Sequence, residues 1–151
     1  MTEIQPDFAA IAADDRFWVV FDREAPNKYS DSLHAEARKK ALAEGINIAF
    51  SNVCFEIWVL LHFEKTTKAY ANYEDLRRHS SLRKHIPGYE KGTNHLFKEE
   101  QITAACANAR RMNKQTKAGA DPSWREPYQW NPYTDVYALL DAIDAFETSR
   151  G

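Results

Sequence analysis

The stretch over residues 49–63 constrains this chain more than any other. Nine of the twelve residues from Asn52 to Phe63 are apolar, far more than the single stripe that a surface helix requires. A helix of this make-up is predicted to be buried nearly all round, yet it carries the carboxylate of Glu56 and the imidazole of His62. Burying an unpaired carboxylate is costly, so Glu56 needs a cation, a metal or several hydrogen-bond donors. The same helix therefore demands a real protein interior and raises a question about function.

The surrounding pattern supplies the interior. Five apolar residues, Phe17-Trp18-Val19-Val20-Phe21, predict a strand buried on both faces, as in a parallel sheet. It ends at Asp22-Arg23-Glu24, and Pro26-Asn27 confirms the break. Ser30, Asp31 or Ser32 can cap a helix running to about residue 44, with Leu33, Ala37, Ala41 and Leu42 on its apolar side and Gly45 past its end. Residues 46–50 form a second strand, and Ser51-Asn52 are expected to cap the apolar helix. Strand, helix, strand, helix is a βαβα unit with parallel strands and a right-handed crossover.

Beyond it, residues 73–85 predict one helix, stopped by Pro87-Gly88. Residues 98–112 predict another, with Ile102, Cys106, Ala109 and Met112 at helical spacing. Residues 113–131 contain Gly119, Pro122 and Pro127 and are expected to form a long loop anchored by Trp124, Tyr128 and Trp130. Asn131-Pro132 precedes a final helix whose Val136, Leu139, Leu140, Ile143 and Phe146 face a core. At the other end, Ile4, Phe8 and Ile11 mark one weak helical turn set before Asp14-Asp15. The expected plan is one α/β domain over 1–151: a core at 17–64, a basic helical segment at 65–112, then the aromatic loop and C-terminal helix at 113–147. A chain of 151 residues, 44% apolar and 13% aromatic, suits a single domain and is not a disordered composition.

Net charge is −2, so nothing pulls the whole chain toward nucleic acid. Its distribution is uneven: residues 65–98 hold eight Lys/Arg against three acids, with His79, His85 and His95. Arg77, Arg78, Arg83 and Lys84 sit at the centre of this stretch, which is either a solvated basic face or a surface that tracks phosphates. Cys54 and Cys106 occupy apolar helical positions and read as reduced core residues, with no Cys/His spacing suited to zinc. No signal peptide is evident, and the longest strictly apolar run, residues 57–61, is far short of a membrane span. A cytoplasmic location without membrane association is expected. The absence of a Gly-rich phosphate loop and a GxSxG elbow argues against an NTPase or serine hydrolase.

Ligands of open parallel sheets collect at the carboxyl ends of the strands. Asp22 and Glu24 follow one such end, and Ser51-Asn52 the other. Two residues apart on an extended segment, Asp22 and Glu24 point to one side and suit a hard cation such as Mg²⁺, which takes a few carboxylates plus waters; otherwise Asp22 starts a turn and Glu24 is solvated. Glu56, in the first turn of its helix, gains from the helix dipole. It is either a structural carboxylate tied to Arg23, Lys91 or a backbone nest, or a catalytic one. His62 suits a C-terminal cap bonded to a carbonyl. Lys91 either neutralises a phosphate or a transition-state charge, or is a solvated loop lysine.

Three motifs together resemble the RloB family: residues 17–24, residues 49–63, and Tyr89-Glu90-Lys91. Asn131-Pro132 and the following helix extend the likeness to roughly residues 17–145. The second motif is long and specific. RloB-like proteins occur beside restriction systems and phage-defence ATPases, and their fold is similar to Toprim domains. The resemblance implies a Toprim-like sheet with added C-terminal helices and a phosphodiesterase, a nuclease on RNA or DNA, dependent on Mg²⁺ or Mn²⁺. It also implies a co-encoded ATPase as partner and is compatible with a homo-oligomer. Asp22 and Glu24 match the metal-binding aspartate pair, with Glu56 and Lys91 completing the catalytic set. Arg23, Ser51, Asn52 and His62 would lie on the substrate side, with Arg77, Arg78, Arg83 and Lys84 guiding the phosphates.

Three departures stand out. Glu24 replaces the usual Asp, a change of one methylene. Val53 replaces a common Pro, which removes only a preset φ at the helix start. The family also opens with a further strand ending in an acidic Gly-rich turn, and residues 1–16 do not read as that strand. An amino-terminally shortened chain is therefore expected, whether a fragment, a split gene product or a late start. Two functions follow: a metal-dependent phosphodiesterase, or a catalytically incomplete module that binds nucleic acid or an ATPase. A purely structural cytosolic protein is the third.

Overall fold

The apolar run at Phe17 forms β1 (Phe17–Asp22), which pairs in parallel with β2 (Ile46–Asn52), Phe17 opposite Ile46 and Asp22 opposite Ser51. The structure is a computed structural model and describes residues 16–150. A two-residue strand, β3 (Tyr133–Thr134), adds antiparallel to the far side of β2, so the sheet is mixed, in the order β1-β2-β3. With the helices around it, the molecule is α/β, as expected. β3 was not foreseen, because two residues carry no period.

β1 is not buried on both faces. Val20 is 51% exposed and Val19 is exposed as well, because among the described residues β1 is the outer strand of the sheet. Continuous burial belongs to β2, whose residues 48–52 are all buried, with β1 along one side and β3 beside Ser51 and Asn52 on the other.

Ser30 caps α1 (Asp31–Ala43), its side chain accepting from the Leu33 amide at 3.1 Å, and Gly45 past the helix end has φ 73°. The face turned inward differs from the expected one. Leu33 and Leu42 are exposed, while His34 is buried and Ala41 packs on Ile48, Phe50 and Tyr133. A hydrogen bond decides the rotation: His34 Nε2 donates to the Arg23 carbonyl at 2.8 Å, and its ring stacks on Phe21 and Tyr128.

The apolar run after β2 is buried all round, as its composition requires. Glu56, Ile57, Trp58, Val59, Leu60, Leu61 and His62 are all buried. The regular helix is short, however: α2 spans Glu56–Leu60, and turns carry the chain on to Phe63. Ser51 and Asn52 do not cap it. They remain in β2 because β3 pairs with both, and the position before α2 is Phe55, without a side-chain cap. The peptide joining Asn52 to Val53 is cis.

The helix expected over residues 73–85 is two, α3 (Tyr73–His79) and α4 (Leu82–His85). The break falls at two serines, where the Ser80 hydroxyl accepts from the Leu82 amide at 3.2 Å and so competes with the helical ladder. α5 (Glu99–Gly119) runs seven residues past Met112, into the expected loop. Asn113 makes this possible. Its amide donates to the Thr134 carbonyl at 2.8 Å and its oxygen accepts from the Thr134 N–H at 3.1 Å, which offsets a weak helix propensity. The remaining loop folds over a 3₁₀ turn, Pro127–Gln129, and leads through a cis Asn131-Pro132 bond to β3.

The last helix, α6 (Val136–Arg150), buries Val136 and partly buries Leu139 and Leu140. Ile143 and Phe146 are exposed, contrary to expectation. Ties to α5, the Arg110–Asp141 pair at 2.6 Å and Arg110 over the Tyr137 ring, lie in the first two turns of α6. One large core gathers residues of β2, α2, α3, α4, α5 and α6; both cysteines are free, Cys54 within that core and Cys106 at its margin. Among the described residues no helix is long and apolar enough to cross a membrane. The expectations at Ile4, Phe8 and Ile11, and that of a missing first strand, lie outside the described residues.

Candidate functional site

The end of β1 is fastened to the end of β2 by its backbone. The Arg23 N–H donates to the Ser51 carbonyl at 2.8 Å, and the Glu24 N–H to the Val53 carbonyl at 2.9 Å. To follow that path, Glu24 takes φ 60°, an uncommon conformation for a residue with a side chain. Asp22 and Glu24 then line one open recess together with Val20, Phe21 and Phe55.

Asp22 is half-buried, and its carboxyl is pushed up to about 6. Burial is the main cause. The charges of Glu56 and Glu24 push the same way, while a hydrogen bond from the Phe55 N–H and the charge of Lys91 oppose them. Lys91 Nζ lies 3.9 Å from Glu24 Oε1, and Lys28 Nζ lies 3.6 Å from the same oxygen.

Glu56 is 5% exposed and is not on the wall of the recess. Its Oε2 accepts from the Tyr89 hydroxyl at 2.9 Å, whereas Oε1 is buried without a hydrogen-bond partner among the described residues. The Tyr73 hydroxyl is likewise buried without one, and Lys91 Nζ stands 4.7 Å over the Tyr73 ring. Burial and the charge of Glu56 push both phenols up, so they stay protonated as donors. Cys54 is pushed up by burial first and then by Glu56 and Asp22, which keeps its thiol protonated and inert.

The structure therefore brings together Asp22, Glu24, Glu56 and Lys91. Three carboxylates face too few cations, and one of their oxygens lacks a donor. Such a cluster attracts a hard cation or holds a proton at Asp22. Among the described residues no three His, Cys, Asp or Glu side chains converge closely enough to form a complete metal cage.

The other expected site residues have different surroundings. Arg23 is 2% exposed, and its guanidinium donates to the Tyr29 carbonyl (2.6 Å), the Tyr128 carbonyl (3.1 Å) and Asp31 Oδ1 (2.6 Å). It ties α1 and the aromatic loop to the sheet end and does not pair with Glu56. The Ser51 and Thr134 hydroxyls are bonded at 2.8 Å, and the Asn52 amide donates to the Pro127 and Tyr128 carbonyls. His62 donates to the Trp58 carbonyl at 2.9 Å, as a cap would, and stacks on Phe97 with centroids 3.8 Å apart. Burial, then the charge of His95, hold it below the ordinary histidine range.

In the basic segment Arg77 and Arg78 pair with Glu74, and Arg83 with Glu90. Lys84 is exposed and makes no ion pair among the described residues. Four contributors escaped the sequence reading: the Tyr89 and Tyr73 hydroxyls, Lys28 and the Phe55 N–H. Tyr89 had a signal in its place beside Lys91, and Lys28 in its spacing of four from Glu24. The Phe55 amide had none, since backbone groups are invisible in side-chain patterns.

No curated protein matches this chain, and no solved structure does. A family model described as RloB-like protein matches residues 5–143, taking in both strands of the site, α2 and the Tyr89-Glu90-Lys91 loop. The chain belongs to the RloB-like family.

Proposed function

We propose that this chain is a Toprim-related phosphodiesterase module that cleaves nucleic acid, in a restriction-linked or anti-phage setting, with Mg²⁺ or Mn²⁺ held by Asp22 and Glu24. The observation that carries the reading is the concentration of charge at one sheet edge. Asp22 is pushed up to about 6 there, by burial first and then by the charges of Glu56 and Glu24, and Glu56 Oε1 has no donor among the described residues. A divalent cation in the recess would favour the charged form of Asp22 and offset the negative charge around it, and hard carboxylate oxygens are its preferred donors. Once bound, such an ion supplies Lewis-acid charge to a phosphate oxygen.

The chain's own groups have distinct tasks. Asp22, steadied by the Phe55 N–H, and Glu24, fixed by its backbone bond to Val53, offer carboxylates to the recess. Glu56, anchored by Tyr89, adds negative charge from within. Lys91 is exposed beside Glu24 and is free to turn toward a phosphate, where its charge would offset that of the transition state. Replacing Asp22 with Ala is expected to abolish metal-dependent cleavage while the circular dichroism spectrum is kept. Unchanged cleavage by that variant would rule the reading out.

A second reading is a catalytically incomplete module that binds nucleic acid or a co-encoded ATPase. The absence of a three-ligand metal cluster among the described residues favours it. It requires that the purified chain show no turnover with Mg²⁺ or Mn²⁺ yet associate stably with its partner.

A further inference from the structure

The aromatic loop and the C-terminal half of α5 form a groove that the carboxylate site does not use. Its middle is a recess of about 410 Å³, within the range of about 300–1,000 Å³ usual for ligand clefts. Trp124 and Trp130 line it, Trp124 being 42% exposed. Thr116 and Asn131, which also line it, each have a side-chain oxygen that is buried with no hydrogen-bond partner among the described residues. The Asn131 amide nitrogen donates to the Tyr70 carbonyl at 2.9 Å, which fixes its oxygen as a pure acceptor.

This recess continues in both directions. On one side it shares Thr67 and Gln115 with a smaller recess lined by Lys65 and Arg111. Neither cation is ion-paired among the described residues, whereas Arg77, Arg78 and Arg83 are all held by carboxylates. On the other side it shares Trp124 and Asn131 with a recess that reaches Asn52 and Val53. Those two residues lead into Phe55, whose amide holds Asp22. Lys117 Nζ, 4.7 Å over the Trp130 ring, adds a cation beside the aromatic centre.

Cations at one end, the exposed ring of Trp124 in the middle and a path toward a carboxylate site match what a single-stranded nucleic acid requires. Its phosphates follow positive charge while its bases stack on flat side chains. A double helix keeps its base faces stacked inward and has no use for such a platform. We infer that the groove running from Lys65 and Arg111 past Trp124 and Trp130 binds single-stranded nucleic acid, with one base stacked on Trp124.

The inference deepens the proposed nuclease reading but is tested separately, by binding without metal. The full chain in EDTA is titrated against fluorescein-labelled dT12 and U12 and followed by anisotropy, at low and moderate salt. Wild-type binding is expected, weakening as salt rises. Trp124→Ala is expected to weaken it about 10-fold, a loss typical of one stacked base, and the Lys65→Glu/Arg111→Glu variant at least as much. Arg77→Glu/Arg78→Glu, whose side chains are already held by Glu74, is expected to weaken it less than the Lys65→Glu/Arg111→Glu variant does. Trp124 is solvent-exposed, so its loss leaves the far-ultraviolet circular dichroism unchanged, and Trp124→Phe retains most of the affinity. No binding by the wild type, equal binding by Trp124→Ala, or a loss confined to the Arg77/Arg78 variant would overturn the inference. Preference for a hairpin duplex over dT12 would do so too. Failure of Asp22-dependent cleavage with these binding results intact would count against the nuclease reading alone.

Discussion

The Tyr89 hydroxyl holds one oxygen of the buried Glu56 carboxylate at 2.9 Å, and the other oxygen has no partner among the described residues. Among the described residues this is the only hydrogen bond to the side chain most costly to bury in α2. Removing it by Tyr89→Phe leaves the carboxylate without a donor, at a cost of about 1–3 kcal/mol. Urea denaturation at pH 7.5 should show that loss. Adding Glu56→Gln should restore part of it, since a neutral amide is cheaper to bury. Additive losses would mean that the two groups are not coupled.

Asp22 makes stability depend on pH in an unusual direction for a carboxylate. Its folded value of about 6 lies above the ordinary 3.8, so between those limits the folded chain binds more protons than the unfolded one. Its contribution is therefore full below about pH 4, falls as pH rises to about 6, and stays lost above. Asp22→Asn keeps an acceptor for the Phe55 N–H and removes the titration. It should exceed the wild type in stability by on the order of 2 kcal/mol at pH 7.5, with the gap closing toward pH 4. A gap that is constant with pH would contradict the burial of this group.

A cation at the recess would act on the same group. Millimolar Mg²⁺ at pH 7.5 is expected to raise the thermal midpoint of the wild type, because a ligand that binds only the folded state stabilises it by mass action. Asp22→Asn and Glu24→Gln should each lose most of that rise. Differential scanning fluorimetry with Mg²⁺, Mn²⁺ and K⁺ checks it without any substrate. An equal rise in all three proteins would place the ion elsewhere.

Arg23 joins three separate segments through three hydrogen bonds while 2% exposed. Arg23→Lys keeps the charge but loses the planar fork that reaches Tyr29, Tyr128 and Asp31 at once. A loss of about 2–4 kcal/mol is expected by chemical denaturation, from carbonyls left without donors in a buried setting. Asp31→Asn, whose side chain is exposed, should cost less than about 1 kcal/mol. If Arg23 served a ligand alone, Arg23→Lys would leave stability unchanged.

Local patterns in the amino-acid sequence determined the strand–helix–strand order behind the parallel β1–β2 pair, a helix cap among Ser30, Asp31 and Ser32, the Gly45 stop and the all-round burial of residues 56–62, because apolar runs, cap residues and glycines act over a few positions of chain; the structure selects Ser30 as the cap. The same patterns placed Asp22, Glu24, Glu56 and Lys91 among the candidates, and their family was legible in the motifs around them. Tertiary structure alone decided which residues serve structure. Arg23 and Asn52 are taken up by the aromatic loop more than seventy positions away, and Ser51 by Thr134 in a two-residue strand. His34, not Leu33, turns inward because a carbonyl of Arg23 awaits it. Hydrogen bonds between distant segments leave no period in the sequence, and they settle which polar groups are spent on the fold and which remain for a ligand.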